Sequence, residues 1–365
     1  MSELVEDLFL RLSPELVDAV LLRLPPEDPA GLVRTSAVCK PWRRILADPG
    51  FRGRYRKFHG TPPVLGLFQS DGSFFPASAL PTVRGLFADR LLDCRHGRAL
   101  LGAYSWPLRE GYFLNLTVLD PLTGHRRCVP YPVDNDVAWF SVAVLCAAQG
   151  CDHHGCQGGH FRLAVVTIND VQGVTSGWLY SSETRVWSEL TSLHHPNAPS
   201  YTNLAARSVL AGDALYFNIH GNGIIEFQLG ALRLSKLEQP ITGKGRLMTT
   251  QDGGLGFAVV VDVTNLTLWS METGPEAAMG WAKLRVIDLK TLLPSKALST
   301  PVPEYGINGI AEGTQVIFMN TCLGSYMVDL KSGRVRKVCG RTQNITPYQR
   351  FYIPAREAAC TGKGQ

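Results

Sequence analysis

The 365-residue sequence has no apolar run of the length that a membrane-spanning helix requires. Such a helix needs about 20 consecutive apolar residues, and the sequence predicts none. The opening segment Met-Ser-Glu-Leu-Val-Glu-Asp is acidic, and it lacks the basic stretch followed by an apolar stretch that is typical of a secretory signal. We therefore expect no membrane partner and a location in the cytoplasm, the nucleus or both.

Charged residues are also scarce, at 18% of the chain, whereas 45% of the residues are apolar. This balance argues against a long disordered chain and supplies enough apolar residues for a sizeable core. The formal net charge of +5 is small for a nucleic-acid-binding protein, so no nucleic-acid partner is predicted. The nine cysteines are odd in number and have no disulfide spacing, which indicates reduced thiols.

Sequence motifs that carry catalysis are missing as well. There is no Gly-Lys-Ser/Thr phosphate loop and no Gly-x-Ser-x-Gly nucleophile turn, and the pair His194-His195 has no accompanying carboxylates. No catalytic-cysteine signature surrounds any of the nine cysteines. We therefore predict that the protein is not an enzyme and that it needs no cofactor.

One dense group of metal-binding residue types comprises Cys146, Cys151, Asp152, His153, His154, Cys156 and His160. Thiolates and imidazoles of this kind bind zinc, and the candidate ligands are Cys151, His153, His154 and Cys156. A second cysteine pair with zinc-finger spacing is missing downstream, and three glycines favour a flexible hairpin loop. The sequence therefore predicts no metal site, and zinc at these four residues is the alternative.

The first 60 residues have helical patterning. Ser13 is a good N-cap and Pro14 suits the first position of a helix, because its missing N–H has no partner there. Leu16 and Leu24 belong to an apolar stripe with a spacing of four residues, and Pro25 ends this helix. Two further short helices follow. So small a unit cannot bury all its apolar side chains, which leaves some of them for a partner.

The order Leu-Ser-Pro-Glu-Leu, Leu-Pro and Val-Cys-Lys-Pro-Trp-Arg, spread over roughly residues 9–50, resembles the F-box. In that family the module binds a Skp-type adaptor, which is tethered to a cullin–RING ubiquitin ligase. The resemblance implies adaptor contacts at a set of mostly apolar positions. These positions are Leu12, Pro14, Leu16, Leu21, Leu24, Pro25, Val38, Cys39 and Trp42. The family often begins with Leu-Pro, whereas Ser13 separates the two residues here.

From about residue 61 the pattern changes to short β-branched or aromatic runs separated by Gly, Pro, Asn and Asp. A strand–turn–strand pattern recurs at uneven intervals of about 40–60 residues, within reach of the four-stranded blades of a propeller. Its occurrences are residues 116–129, 178–190, 224–237, 284–293 and 325–338. Where Asp precedes Thr-Gly or Ser-Gly, the carboxylate is expected to bind turn backbone and the glycine to take a positive φ. We predict about six blades, with a sandwich or stacked sheets as the alternative.

Segments at residues 118–124, 209–217 and 347–352 resemble the C-terminal β-propeller region of large plant F-box families, especially those of grasses. The resemblance implies that this half holds a protein target, whose identity it does not give. The predicted fold class is therefore α+β and mainly β. A three-helix F-box is expected at residues 9–58, followed by a propeller-like domain at residues 61–356.

Three functional hypotheses follow. The first is a non-catalytic subunit of a Skp–cullin–F-box (SCF) ubiquitin ligase that binds the adaptor through the head and an unknown protein target through the β domain. The second is a protein-binding propeller outside any ligase, with the helical head packed on itself as a cap. The third is a sensor for a metal or a small molecule that enters the central channel.

Overall fold

The structure is a computed structural model. It describes residues 13–76, 90–104, 113–132, 139–148, 151, 153, 156, 159–169, 172–194, 207–219, 223–243, 245–262, 264–273, 279–298, 306–340, 344–352 and 354. Two of the predicted site residues, Leu12 and His154, lie outside the described residues.

Four helices form the described part of the head, so the prediction of three was wrong. They are α1 (Pro14–Leu22), α2 (Pro29–Val38), α3 (Lys40–Ala47) and α4 (Pro49–His59). The side chains of Ser13, Asp28 and Asp48 each accept a hydrogen bond from a backbone N–H in the first turn of a helix. A proline follows each of these caps. The Asp48-Pro49 pair is therefore the same start signal, and it opens the additional helix α4.

The helical head has one apolar core, and a residue from the other end of the chain belongs to it. The core contains Val17, Leu21, Leu32, Leu46, Phe51, Tyr55 and Phe351. The Tyr55 hydroxyl donates a 2.7 Å hydrogen bond to the carbonyl of Leu24, which satisfies its buried polar atom. The head thus shares its core with the segment that follows the last strand.

Six antiparallel sheets, which we call blades 1 to 6, form the rest of the structure. Blade 1 contains β3 (Arg90–Arg95), β4 (Arg98–Tyr104), β5 (Phe113–Leu119) and β6 (Arg126–Pro130). Blade 2 contains β7 (Trp139–Cys146), β8 (Phe161–Asn169), β9 (Val174–Ser181), β10 (Val186–Trp187) and β11 (Thr191–His194). Blade 3 contains β12 (Val209–Ala211), β13 (Ala214–Ile219), β14 (Gly223–Gln228) and β15 (Arg233–Leu237).

The remaining blades follow in chain order, except that blade 6 combines both ends of the chain. Blade 4 contains β16 (Arg246–Thr249), β17 (Leu255–Val261), β18 (Asn265–Thr273) and β19 (Met279–Asp288). Blade 5 contains β20 (Gly306–Ile310), β21 (Val316–Thr321), β22 (Gly324–Asp329) and β23 (Val335–Cys339). Blade 6 contains β1 (Val64–Phe68), β2 (Phe74–Pro76) and β24 (Thr346–Gln349).

Consecutive blades contact each other around a closed ring, and blade 6 contacts both blade 5 and blade 1. The strand order β2-β1-β24 pairs Val64 with Gln349, so the two ends of the propeller close the ring together. Closure covers the faces of the end blades that an open stack would expose, and it leaves only the edge strands of each blade unpaired on one side. The prediction of a mainly β propeller with about six blades is confirmed.

The predicted turn chemistry is present where the sequence has the Asp-to-Gly pattern. Asp120 accepts a 2.9 Å hydrogen bond from the backbone N–H of Leu122, and Gly124 has φ 74°. Asp329 and Gly333, with φ 68°, repeat the arrangement in blade 5. The segment at 284–293 differs, because it joins the end of β19 to a 3-10 turn at Leu289–Thr291, so its assignment to the strand–turn–strand pattern was wrong.

Candidate functional site

Apolar side chains are exposed on the first two helices of the head. Leu16 and Val20 of α1 are 55% and 51% exposed, and Val33 and Val38 of α2 are 39% and 51% exposed. We call these four residues the docking face. Leu16 and Val20 lie on one side of α1 because they are four residues apart. Helix α1 therefore has two apolar stripes. Val17 and Leu21 lie in the core of the head, whereas Leu16 and Val20 form a second stripe that is exposed.

The structure places the other predicted F-box positions at different depths. Pro14 and Pro25 are exposed at the two ends of the first helical segment. Leu24, Cys39 and Trp42 are half-buried. Leu21 is fully buried in the core of the head, so it supports the shape of the module and offers no surface to a partner. Val20 and Val33, which the docking face includes, were not among the predicted contacts.

The head is fastened to the propeller by the segment that follows β24. The guanidinium of Arg52 donates through Nε to the carbonyl of Leu46 at 3.2 Å and through Nη2 to the carbonyl of Pro354 at 3.3 Å. In the same segment, Nη1 of Arg350 lies 2.9 Å from both carboxylate oxygens of Asp120 in blade 1. These contacts hold the orientation of the docking face relative to the ring.

The propeller encloses a cavity of about 530 Å³ at its centre, which the inner strands line. Its walls include both charged and apolar groups. The charged residues are Arg90, Asp93, Arg95, Arg207, Arg246 and Glu312. The arginines outnumber the carboxylates, so the cavity favours an anionic group over a cationic one.

One buried arginine joins several blades across this cavity. Arg95 of β3 donates through Nε to Glu312 at 2.8 Å and through Nη2 to the carbonyl of Ser208 at 2.6 Å. Its Nη1 lies 3.5 Å from Asp93, which accepts a 2.9 Å hydrogen bond from the N–H of Val144 in β7. Burial opposes the charge of Arg95, but the two carboxylates outweigh it and raise its pKa above the usual value. The network therefore ties blades 1, 2, 3 and 5 together.

Two further arginines, Arg207 and Arg246, line the cavity and add positive charge to its wall. Arg246 donates through Nε to the carbonyl of Ile307 at 3.0 Å and through Nη2 to Asn344 at 2.9 Å. Burial and the neighbouring Arg207 lower the pKa of Arg246 to about 10. Burial also lowers the pKa of Arg207. An anion bound here would relieve the repulsion between these two side chains.

The structure brings together four members of the group of metal-binding residue types that the sequence contains. The ligand atoms of Cys146, Cys151, His153 and Cys156 all lie within 4.8 Å of one another. Cys146 ends β7, and the other three residues follow it before β8. His160 is exposed and is not part of this group.

The comparison with protein families is decisive. Residues 90–352 match the family described as "F-box protein AT5G49610-like, beta-propeller", and residues 9–53 match the F-box domain. The chain belongs to the F-box protein AT5G49610-like family. The docking face of this F-box protein therefore lies within its F-box domain, and the cavity lies within its family propeller. A plant origin is suggested by the family name.

Comparison with other proteins adds little to this assignment. No curated protein matches the chain of this F-box protein significantly. Among solved structures, the extracellular domain of BT4673 from B. thetaiotaomicron, BBS1N in complex with ARL6DN, and the WD40 domain of SCAP from fission yeast are similar at 13%, 11% and 14% identity, with TM-scores of 0.34, 0.34 and 0.38. The matches cover 70%, 68% and 74% of this chain but only 28%, 65% and 54% of those chains. Likeness at this level supports no argument.

Of the helices in the described part of the chain, none has the length and apolar character needed to cross a membrane. F-box and propeller families are typically non-catalytic adaptors, which agrees with the missing catalytic motifs.

Proposed function

We propose that this F-box protein is the substrate-recognition subunit of an SCF-type ubiquitin ligase. The head, residues 9–58, binds a Skp-type adaptor and through it a cullin, and the propeller, residues 61–356, holds a protein target. The protein performs no catalysis itself and works in the cytoplasm, the nucleus or both. The observation that carries the proposal is the exposed docking face inside the segment that matches the F-box.

The energetics of the docking face favour a partner. Fully burying an exposed Val or Leu side chain contributes about 1.5–3 kcal/mol, and covering these four side chains, which are 39% to 55% exposed, would contribute roughly half of that for each. Exposed apolar side chains of this kind are where a protein partner would bind. Leu16 and Val38 are predicted adaptor contacts within this face, and half-buried Trp42 supports the packing behind it.

The contribution to ubiquitin transfer would be proximity. A target held by the propeller has its lysines confined near the activated ubiquitin that the other subunits carry. Confinement of this kind converts a bimolecular encounter into an effectively unimolecular one. The contacts of Arg52 and Arg350 with the segment after β24 make the connection between head and ring stiff, which limits the volume that the target explores.

The test is co-expression of the full chain with a Skp-type adaptor, followed by affinity capture. The double variant Leu16→Glu/Val38→Glu places two charges on the docking face and is expected to reduce captured adaptor at least 10-fold. Both positions are exposed, so the fold should survive. The matched control is Leu284→Glu, which adds a charge to a side chain that is 56% exposed on β19. Its expected capture equals that of the parent protein.

Equal capture by the parent and by the docking-face variant would contradict the proposal and favour the self-packed cap. A deletion of residues 1–60 is a poorer test, because it would strip the apolar partners from Phe351. Thermal unfolding of each variant shows whether reduced capture comes from a lost contact or from a lost fold.

A second candidate function is a sensor for a small anion, and the cavity arginines favour it. Arg207 and Arg246 line the cavity together, and burial lowers the pKa of both. The test is a thermal shift with inorganic phosphate, citrate and inositol hexakisphosphate as probes. A ligand at 100 times its dissociation constant stabilises the fold by about 2.7 kcal/mol. No shift with any of the probes would remove this candidate.

A further inference from the structure

The loop between β7 and β8 brings sulfur and nitrogen atoms from four residues to one place. Cys146 and Phe161 are the last paired residues of the hairpin, and Cys151, His153 and Cys156 lie between them in the sequence. Cys156 is buried, although it lies in a loop. Its Sγ lies 3.5 Å from Sγ of Cys151 and 3.7 Å from Nδ1 of His153. Within the described part of the chain, this is the group whose ligand atoms suit a metal ion.

The distances match the edges of a zinc coordination tetrahedron. With Zn–S at about 2.3 Å and Zn–N at about 2.0–2.1 Å, two sulfurs lie about 3.8 Å apart and a sulfur and a nitrogen about 3.6 Å apart. The observed separations at Cys156 are within about 0.3 Å of these values. The separation of up to 4.8 Å across the whole group requires a small contraction around an ion.

We propose that Cys146, Cys151, His153 and Cys156 bind one Zn²⁺ ion in a structural Cys₃His site. The four protein ligands complete a tetrahedron and leave no open position for substrate or water. This proposal revises the no-metal prediction, and it does not depend on the proposed ligase function. The sequence alone favoured a loop because a second cysteine pair was missing downstream, whereas the structure places Cys146, at the end of β7, with the other three ligands.

The residues around the four ligands make hydrogen bonds and a ring contact of the kind found in the outer shell of a metal centre. His96 lies in the two-residue turn between β3 and β4 of blade 1 and has φ 52°. Its Nδ1 accepts a 3.0 Å hydrogen bond from the N–H of Cys146, and its ring stacks on His153 with centroids 4.3 Å apart. Nη2 of Arg98 donates to the carbonyl of Gly159 at 3.4 Å. Such partners orient metal ligands in known zinc proteins.

A disulfide is the competing use of these thiols, and the geometry disfavours it. The Cys151 and Cys156 sulfurs are 3.5 Å apart, well beyond the bonded distance of about 2.05 Å. A disulfide would also leave Cys146 and His153 without a role. Reduced thiols are expected in the cytoplasm and nucleus, where zinc is the usual ion held by such a set.

The site would fasten one blade to the next near the head. The loop of blade 2 carries three ligands, and the β3–β4 turn of blade 1 covers them. Gly97 of that turn accepts a 3.4 Å hydrogen bond from the Tyr348 hydroxyl of β24, which leads directly into the segment that enters the head. Zinc bound here would therefore stiffen the propeller face that carries the F-box. This loop has few apolar residues in its sequence, so a bound ion would stabilise it where apolar packing contributes little.

The test is elemental analysis of the full-length protein, purified with a reductant and without chelator. About one zinc per chain is expected, and Cys151→Ser/Cys156→Ser should carry less than ~0.2 equivalents. The matched control, Cys128→Ser/Cys339→Ser, changes two cysteines outside the group and should keep its zinc. Replacement by cobalt should give thiolate-to-cobalt charge-transfer absorption in the parent and in the control only.

Two results would overturn the site. One is a zinc content that is equal in the parent and in Cys151→Ser/Cys156→Ser. The other is parent protein with less than ~0.2 equivalents of zinc and no cobalt absorption, whether its thiols are free or joined in a disulfide by mass spectrometry. If the double variant does not fold, His153→Ala serves instead, because the side chain is exposed and its loss should weaken zinc binding at least about 10-fold.

Discussion

The ring of Phe351, just beyond the last strand of the propeller, packs edge-on against the ring of Tyr55 in α4, with centroids 6.2 Å apart and an interplanar angle of 82°. Both side chains are buried in the core of the head. The F-box domain is therefore completed by a residue that lies outside it in sequence. This contact joins the core of the head to the segment that follows the last strand of the propeller.

Phe351→Ala should lower the free energy of unfolding by about 3–5 kcal/mol, because it leaves a cavity in the core of the head. Thermal and urea unfolding would measure the change. Phe58→Ala is the matched control, since Phe58 is 55% exposed on the same helix as Tyr55 and should cost less than about 1 kcal/mol. A similar cost for both variants would show that Phe351 does not complete this core.

Arg95→Met should destabilise the propeller by about 3–5 kcal/mol, because it removes the guanidinium that lies 3.5 Å from the buried carboxylate of Asp93 and also bonds Glu312. Arg95→Lys should recover little, since a single ammonium cannot bond Glu312 and Ser208 in the same fork geometry. Urea unfolding of the three proteins measures the order. Arg336→Met, at an exposed arginine of β23, is the control and should leave stability unchanged.

Arg185→Gly should stabilise the protein by about 0.5–1 kcal/mol, because Arg185 occupies a left-handed backbone position that favours glycine. Its φ is 60°, and it lies in the turn between β9 and β10 at the place that Gly124 and Gly333 occupy in their own blades. Thermal unfolding is the measurement. Glu183 lies in the same exposed turn without this strain, so Glu183→Gly should be neutral or destabilising. A larger stabilisation by Glu183→Gly than by Arg185→Gly would contradict the prediction.

Tyr216 should make stability fall at alkaline pH. Its hydroxyl donates a 3.0 Å hydrogen bond to Glu226, and burial together with this carboxylate raises the pKa of Tyr216 to about 12. A phenol whose folded pKa exceeds the unfolded value of about 10 stabilises the fold below pH 10, and the contribution is lost as the pH rises through 12. Allowing for solvent screening, Tyr216→Phe should remove about 1 kcal/mol of that alkaline loss. Urea unfolding at pH 8 and pH 11 would show the difference, and an unchanged pH dependence would contradict it.

Local signals in the sequence account for much of the fold. The Ser13-Pro14 cap and the Asp120-to-Gly124 turn act through neighbours in the chain, so their residue types are sufficient to predict them. The fourth helix uses the same kind of signal, Asp48-Pro49, although only three helices were predicted for this segment.

Features that depend on distant pairing were beyond the sequence. Arg95 reaches Glu312 only because six blades close into a ring, and the sequence around either residue does not predict this ion pair. Cys146 joins Cys156 because the register of β7 and β8 places the end of one strand beside the loop. The exposed half of α1 is an intermediate case. Apolar stripes on both sides of a helix predict a core contact and a partner surface, but the sequence does not show which residues belong to each.

The entry of Phe351 into the head has a consequence during synthesis. The helices are translated before the propeller, yet their core gains the ring of Phe351 only after the propeller strands have been translated. A product that stops early would carry an F-box segment with a gap at Tyr55 and reduced stability. Under the proposed function, such truncated chains would therefore be poor competitors for the adaptor.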